Sequence, residues 1–228
     1  MASIDRVWGE RNRLEVHRDR LCTGYFGIVI GLALWLGAGL SGFVLLAEEI
    51  DGGDGLKSKA KPGWREEFGA AVGGGIGMKV FGADVAHDFA LTKVHYGWNR
   101  SPLYFSERWY RGEFGFFQEV MAGGQVDPEA AYLVGLSPIL KYRFRYWDCF
   151  RPFLEGGAGM MVTDIGLPSL GSKFEFYEQF GMGFDWKRSE KMTLTAQARF
   201  AHISNAGLKD PNRGLNSTLI FVGANWQF

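Results

Sequence analysis

The sequence predicts an all-β fold, an eight-stranded antiparallel transmembrane β-barrel preceded by an N-terminal signal segment. Three observations lead to this prediction. From Trp64 onward, apolar and polar residues alternate without a sustained helical period, and a period of two is typical of β-strands. The polar faces of these segments carry charges of both signs together with glycine, as in the filled interior of a narrow barrel. The apolar faces end in aromatic residues, as in the girdles at membrane interfaces.

The chain has a length suited to one domain and no net charge, with 25 basic and 25 acidic residues among 228. A neutral chain has no long-range attraction to nucleic acid, so no nucleic-acid partner is expected. No spacing of histidine, cysteine and carboxylate residues indicates a metal site. We expect no cofactor.

Residues 1–47 are the predicted signal segment. Several arginines precede an uncharged apolar run from Tyr25 to Ala47, and Glu48 follows at once. A basic region, an apolar region and a small residue at its end are typical of a cleaved secretory signal. The run is also long enough to span a bilayer, so an uncleaved anchor is the alternative. Either would carry the rest of the chain across the inner membrane. Residues 48–63 are predicted to be a flexible linker, and residues 64–228 the barrel.

The alternation is clearest in residues 174–186, where one face is apolar and the other is polar or glycine. The even positions are Phe174, Phe176, Glu178, Phe180, Met182, Phe184 and Trp186. Residues 132–146 and 218–228 follow the same pattern, and the charges on the polar faces predict ion pairs inside the barrel. Eight strands are predicted, near 64–78, 83–97, 104–121, 130–145, 150–163, 173–187, 190–204 and 214–228. Eight strands leave an interior that side chains fill, so no pore is expected.

An even number of strands places both ends of the barrel on the periplasmic side. Longer connections, near 122–129, 164–172 and 205–213, then lie outside the cell. The chain stops on Trp226-Gln227-Phe228, which resembles the signal that outer-membrane barrels present to their assembly machinery. We therefore expect an integral protein of the outer membrane of a Gram-negative bacterium. A soluble lipocalin-like binder with an apolar interior is the alternative.

A histidine and a serine lie two residues apart near the end of the seventh predicted strand. His202 and Ser204 share the parity of the apolar face formed by Leu194, Ala196, Ala198 and Phe200. Residues two apart on one face of a strand are about 6–7 Å apart, so the tips of the two side chains can meet. A histidine in that position can take the proton of a serine hydroxyl and activate it as a nucleophile. The pair is expected to face the outer leaflet, where lipid A lies.

Around this pair the sequence resembles the lipid A 3-O-deacylase family of outer-membrane enzymes. The resemblance is carried by the run from His202 to Lys209, His-Ile-Ser-Asn-Ala-Gly-Leu-Lys, and by Pro211-Asn212-Arg213-Gly214-Leu215-Asn216. A weaker similarity covers residues 151–159. The resemblance implies that Ser204 is the nucleophile and His202 the general base. It also implies that the Asn212 side chain and the Gly207 backbone N–H form the oxyanion hole, and that Asn205 shapes the loop.

One position departs from the pattern of the family. Well-known members have a glutamate where this chain has Asn216, as the third residue that orients the histidine. Pairing the last two strands with His202 opposite Asn216 keeps the geometry and loses the charge. An amide can still accept from the imidazole N–H, as in Cys-His-Asn proteases. Asp210 in the adjoining loop and Glu178 on the lipid face of the sixth strand are the carboxylates that could substitute.

The function implied is that of an outer-membrane serine esterase. It would remove an ester-linked acyl chain from lipid A of lipopolysaccharide, at the 3-position. The alternative is a catalytically silent structural or lipid-binding barrel of the same family. The expected partners are lipopolysaccharide in the outer leaflet and the barrel assembly machinery, and association into a homodimer is left open.

Overall fold

The structure of the chain is a computed structural model that describes residues 63–100, 104–105, 107–145, 147 and 149–228. The predicted signal segment, 1–47, lies outside the described residues, as does the predicted linker 48–63 except for Gly63. Among the described residues, no helix is long and apolar enough to span a membrane.

Eight antiparallel strands close into a single barrel in which each strand pairs with its neighbours in sequence and β8 pairs with β1. This confirms the predicted fold class. The strands are β1 (Trp64–Met78), β2 (Asp88–Arg100), β3 (Gly112–Asp127), β4 (Ala131–Phe144), β5 (Phe150–Thr163), β6 (Phe174–Lys187), β7 (Met192–Ser204) and β8 (Leu215–Gln227). Closure leaves every strand hydrogen-bonded on both sides, as a bilayer requires of a sheet.

Two strands differ from the sequence-based boundaries. β2 begins at Asp88 and not near 83, because residues 79–87 form a connection with left-handed backbone at Phe81 and Gly82. β3 begins at Gly112 and not near 104, and it extends to Asp127. The connection predicted near 122–129 is therefore reduced to residues 128–130. The alternation is weak in residues 83–87 and 104–111, so the sequence pattern did not reveal where pairing starts.

The barrel interior is charged over much of its length. Arg143 is nearly inaccessible, and Arg199 likewise. Each is paired: Arg143 contacts Glu67, Glu113 and Asp185, and Arg199 contacts Glu119 and Glu155. Buried charges are tolerated only when paired and hydrogen-bonded. This interior is the opposite of the apolar one that the lipocalin-like alternative requires.

The outer face is apolar. Large side chains that point outward along the strands include Val94, Val120, Leu136, Leu140, Leu154, Met182 and Ile220. Exposed apolar residues in a continuous band are typical of a surface that contacts lipid.

An apolar layer fills the interior beneath one end of the barrel. It includes Phe89, Leu133, Tyr177, Ile203 and Leu215. We call this the loop-rich end, since it carries the connections 79–87, 128–130, 164–173 and 205–214. Ala201 and Ile203 are buried in this layer, so the intervening residue His202 and the following residue Ser204 point outward.

Candidate active site

His202 and Ser204 lie at the end of β7, just before the chain leaves the barrel. Both side chains are partly exposed on the outer face, while Ala201 and Ile203 are buried inside. The alternation of a paired strand produces this orientation, because successive side chains point to opposite faces. The structure therefore places the predicted nucleophile and base on the lipid-facing surface at the loop-rich end.

Asn216 lies directly opposite His202 in the β7–β8 ladder, as predicted. Its Oδ1 lies 2.8 Å from His202 Nδ1, and its Nδ2 donates to the Val80 carbonyl at 2.7 Å. A carbonyl can only accept, so the amide must turn its NH2 group to Val80 and its oxygen to the histidine. With the amide in this orientation His202 Nδ1 is the donor to Asn216, and a neutral ring then keeps its lone pair on Nε2. This is the tautomer that a general base toward a serine hydroxyl requires.

The His202 ring and the Ser204 hydroxyl are neighbours on one face. In the part of the chain that the structure describes, no hydrogen bond joins them. Catalytic hydrogen bonds are often long without substrate and shorten when it binds. The arrangement therefore has the residue types and the shared face of a Ser-His pair.

Asn205 organises the connection between β7 and β8. The side chain is buried, its Nδ2 donates to the Lys209 carbonyl at 2.7 Å, and its Oδ1 accepts from Gly207 N–H at 3.0 Å. An asparagine that bonds the backbone two and four residues ahead closes a tight loop. These contacts agree with the loop-shaping role that the resemblance implies.

Asn212 is held in a defined orientation at the far side of the same loop. Its Oδ1 accepts from the Asn205 N–H at 3.0 Å, and its backbone forms a bridge with Leu170. Among the described residues, its Nδ2 has no acceptor. An amide whose oxygen is engaged and whose NH2 group is available can donate to an oxyanion.

Gly207, the second predicted donor, is engaged in this structure. Its N–H donates to Asn205 Oδ1, and its φ of 77° lies in the left-handed region. To bind an oxyanion, this N–H would have to share its hydrogen or turn away from Asn205. Asn212 is therefore the donor that is free to act in the geometry observed.

Glu178 lies directly opposite His202 on the other neighbouring strand, β6. Its side chain is exposed on the outer face. His202 is thus flanked by Asn216 on β8 and Glu178 on β6. Asp210 is exposed in the loop, and within the described residues no hydrogen bond or ion pair joins it to His202.

Two residues of the site were not assigned a role from the sequence. The Val80 carbonyl reaches Asn216 across 136 residues of sequence, and no local pattern indicates such a contact. Gly214 has a φ of 71°, and a Cβ at this position would lie 2.8 Å from His202 Cε1. Its place in the Pro-Asn-x-Gly run was a signal that could have identified it, since glycine is favoured where the backbone is left-handed.

No group of three or more histidine, cysteine or acidic side chains that could hold a metal ion occurs among residues that the structure describes. The chemistry available at the site is that of a hydroxyl, an imidazole and amide donors. Such a set suits acyl transfer through a serine.

Comparison with known proteins gives a consistent result. A family model described as lipid A 3-O-deacylase (PagL) matches residues 92–225. Lipid A deacylase PagL of Pseudomonas aeruginosa is 33% identical over 91 residues, which cover 39% of this chain and 50% of that protein. Lipid A deacylase PagL of Bordetella bronchiseptica is 38% identical over 98 residues, which cover 42% of this chain and 51% of that protein. The matches thus span about half the length of these curated relatives.

Two solved structures are similar in fold. The crystal structure of the outer membrane enzyme PagL has a TM-score of 0.52 and 22% identity, covering 69% of this chain and 97% of that one. Neisserial surface protein A has a TM-score of 0.52 and 12% identity, covering 72% of this chain and 97% of that one. At these identities the likeness concerns the barrel alone.

Proposed function

The chain belongs to the lipid A 3-O-deacylase family and is an integral β-barrel of the outer membrane, and from this premise we propose that it hydrolyses an ester-linked acyl chain, at the 3-position, of lipid A. The observation that carries the proposal is the orientation of His202 and Ser204. Both lie on the lipid-facing surface of β7, at the loop-rich end. A soluble substrate would not meet that surface, whereas a glycolipid of the outer leaflet would.

The first step of the proposed reaction is acylation of the serine. Ser204 Oγ attacks the carbonyl carbon of the acyl ester while His202 Nε2 takes the hydroxyl proton. Asn216 accepts from His202 Nδ1 and holds the ring in the tautomer that makes Nε2 basic. An amide orients the imidazolium without supplying a negative charge, so it stabilises the charged ring less than a carboxylate would.

The oxyanion formed in this step accepts from the Asn212 NH2 group. The bond from Asn205 N–H to Asn212 Oδ1 presents that NH2 group to the site. One such donor typically contributes about 3–4 kcal/mol of transition-state stabilisation. The Gly207 N–H is the second donor. It can donate to the oxyanion once it shares its hydrogen between the oxyanion and Asn205 Oδ1.

The tetrahedral intermediate then collapses and expels the sugar hydroxyl. His202 gives its proton to this leaving oxygen, which forms the acyl-enzyme on Ser204. Water, deprotonated by His202, attacks the acyl carbonyl and releases a free fatty acid. The reaction needs no cofactor, because each proton is exchanged through one imidazole.

Glu178 is the second neighbour that we propose for His202. It lies opposite His202 on β6, on the outer face. A carboxylate on a lipid-facing surface costs free energy, so its presence there favours a functional role. Its negative charge beside the ring would stabilise the imidazolium that Asn216 orients.

Recognition by the barrel assembly machinery and association into a homodimer stay predictions from the sequence. They do not enter the mechanism.

The proposal is tested by mass spectrometry of lipid A after expression in a Gram-negative host that lacks lipid A deacylases. We expect the wild type to remove one hydroxyacyl chain and Ser204→Ala to remove none, with both proteins folded in the outer membrane. Loss of the chain in Ser204→Ala would refute the serine mechanism. Unmodified lipid A with folded wild-type barrel would favour the catalytically silent alternative.

A further inference from the structure

The connection between β1 and β2, residues 79–87, contacts the candidate active site at a buried side chain, Asn216. Asn216 belongs to the outer row of β8, yet it is only 2% exposed. It lies between His202 on β7 and Met78 at the end of β1. The Val80 carbonyl, just beyond β1, accepts from Asn216 Nδ2.

The Val80 carbonyl is presented by a tight turn. It also accepts from Ala83 N–H at 3.1 Å, so both of its lone pairs are used. Phe81 and Gly82, between these residues, have left-handed φ values of 51° and 93°. A non-glycine residue in that region is uncommon and costs free energy, so surrounding contacts must hold it.

Two side chains of this connection contact β7 and the loop that follows it. The Phe81 ring packs edge-on against Phe200, two residues before His202, with 6.1 Å between ring centroids. Asp84 forms an ion pair with Arg213, which follows the oxyanion-hole residue Asn212. The 79–87 connection therefore contacts both strand β7 and the loop that follows it.

The chemistry of the turn explains why an amide suits position 216. A carboxylate there would accept from His202 and would also bring an acceptor against the Val80 carbonyl. An amide has one acceptor end and one donor end, and it satisfies both neighbours. Asparagine at position 216 and the Val80 turn thus form a matched pair.

We propose that the 79–87 connection is a positioning element of the active site: through the Val80 carbonyl it sets the orientation of the Asn216 amide, which sets the tautomer of His202. The proposal rests on the proposed function. It implies that introducing an acid at position 216 impairs this protein, although an acid is the residue expected there from the family resemblance.

The first test replaces the amide itself. Asn216→Asp keeps an acceptor for His202 and removes the donor to Val80. Since Asn216→Asp sets a carboxylate oxygen against the Val80 carbonyl oxygen, where a donor is needed, we expect kcat to fall about tenfold, with KM little changed. An Asn216→Asp enzyme as active as the wild type, or more active, would overturn the proposal.

The second test disturbs the turn without touching the site. Gly82→Ala places a Cβ at a left-handed φ, where the nearest atom is the Arg213 carbonyl oxygen at 3.9 Å, so it strains the backbone without a clash. We expect a severalfold loss of kcat in a folded barrel. Gly63→Ala is the matched control, since Gly63 also has a left-handed φ, of 97°, and precedes β1 at the opposite end of the barrel; it should behave as the wild type. Gly82→Ala with wild-type kcat would contradict the coupling.

A third measurement does not depend on turnover. Nitrogen-15 NMR of histidine-labelled barrel in detergent, assigned with His202→Ala, reports which ring nitrogen of His202 is protonated. We expect the Nδ1–H form in the wild type and a mixture of tautomers in Gly82→Ala. An Nε2–H form in the wild type would overturn the proposal. If lipid A is not hydrolysed at all, the proposed function fails, whereas the tautomer still decides whether the turn controls His202.

Discussion

Replacement of Asn205 by alanine is expected to disable the site while leaving the barrel intact. The Asn205 side chain makes two short hydrogen bonds to the loop backbone, at 2.7 Å to the Lys209 carbonyl and 3.0 Å from Gly207 N–H. At about 1 kcal/mol for each net hydrogen bond, their loss raises the free energy of the ordered loop by about 2 kcal/mol. Because this loop carries Asn212 and Gly207, the ratio of the ordered, active loop to the disordered loop should fall about thirtyfold.

The assay for this prediction is initial-rate deacylation of purified lipid A by the detergent-solubilised barrel. Asn205→Ala should lower kcat about ten- to thirtyfold. Asn205→Asp keeps the acceptor for Gly207 and loses the donor to Lys209, so it should lie between the wild type and the alanine variant, near a fivefold loss. Amide hydrogen exchange at Gly207 should accelerate in the same order. Asn205→Ala with kcat within twofold of the wild type would refute the reasoning.

Three further predictions concern the histidine and the interior. Gly214→Ala should reduce kcat at least tenfold in a folded barrel, because its Cβ would lie 2.8 Å from His202 Cε1 and its φ is left-handed; wild-type kinetics would show that the ring has room to move. Glu178→Gln should lower kcat severalfold with KM unchanged if its charge stabilises the imidazolium, whereas an unchanged kcat would leave Asn216 as the single partner. Arg143→Met should lower the free energy of unfolding in urea by about 3–5 kcal/mol. Lys187→Met, at an exposed ion pair with Glu190, is its control and should have no measurable effect; equal effects of the two would contradict the importance of burial. Arg143→Met leaves three buried carboxylates without their common partner, namely Glu67, Glu113 and Asp185.

Much of the fold follows from local sequence, because a strand alternates its side chains between two faces. The period of two predicts that His202 and Ser204 lie on the outer row with Phe200, and β7 has that parity. It also predicts Asn216 opposite His202 once β7 and β8 are paired face to face, and the ladder confirms this. These relations need only the geometry of a pleated strand and of antiparallel pairing.

Other features depended on the closed barrel. The start of β2 was mispredicted, since residues 83–87 give no clear alternation and the backbone turn at Phe81 and Gly82 has no periodic signal. The contact of Val80 with Asn216 arises because closure brings β1 beside β8, which are distant in sequence. The engagement of Gly207 N–H by Asn205 is set by loop conformation, and the sequence pattern assigned that N–H to the oxyanion hole.

The sequence by itself determined the barrel class, the face on which the serine and histidine lie, and the family. Each is encoded by residues close together in the chain, through the side-chain period of a strand or a short motif. Only the tertiary structure decided which groups surround Asn216 and His202, because one of them is the Val80 carbonyl, 136 residues before Asn216. Hydrogen-bond partners across a closed barrel are determined by strand register and loop conformation, and a local sequence pattern predicts neither.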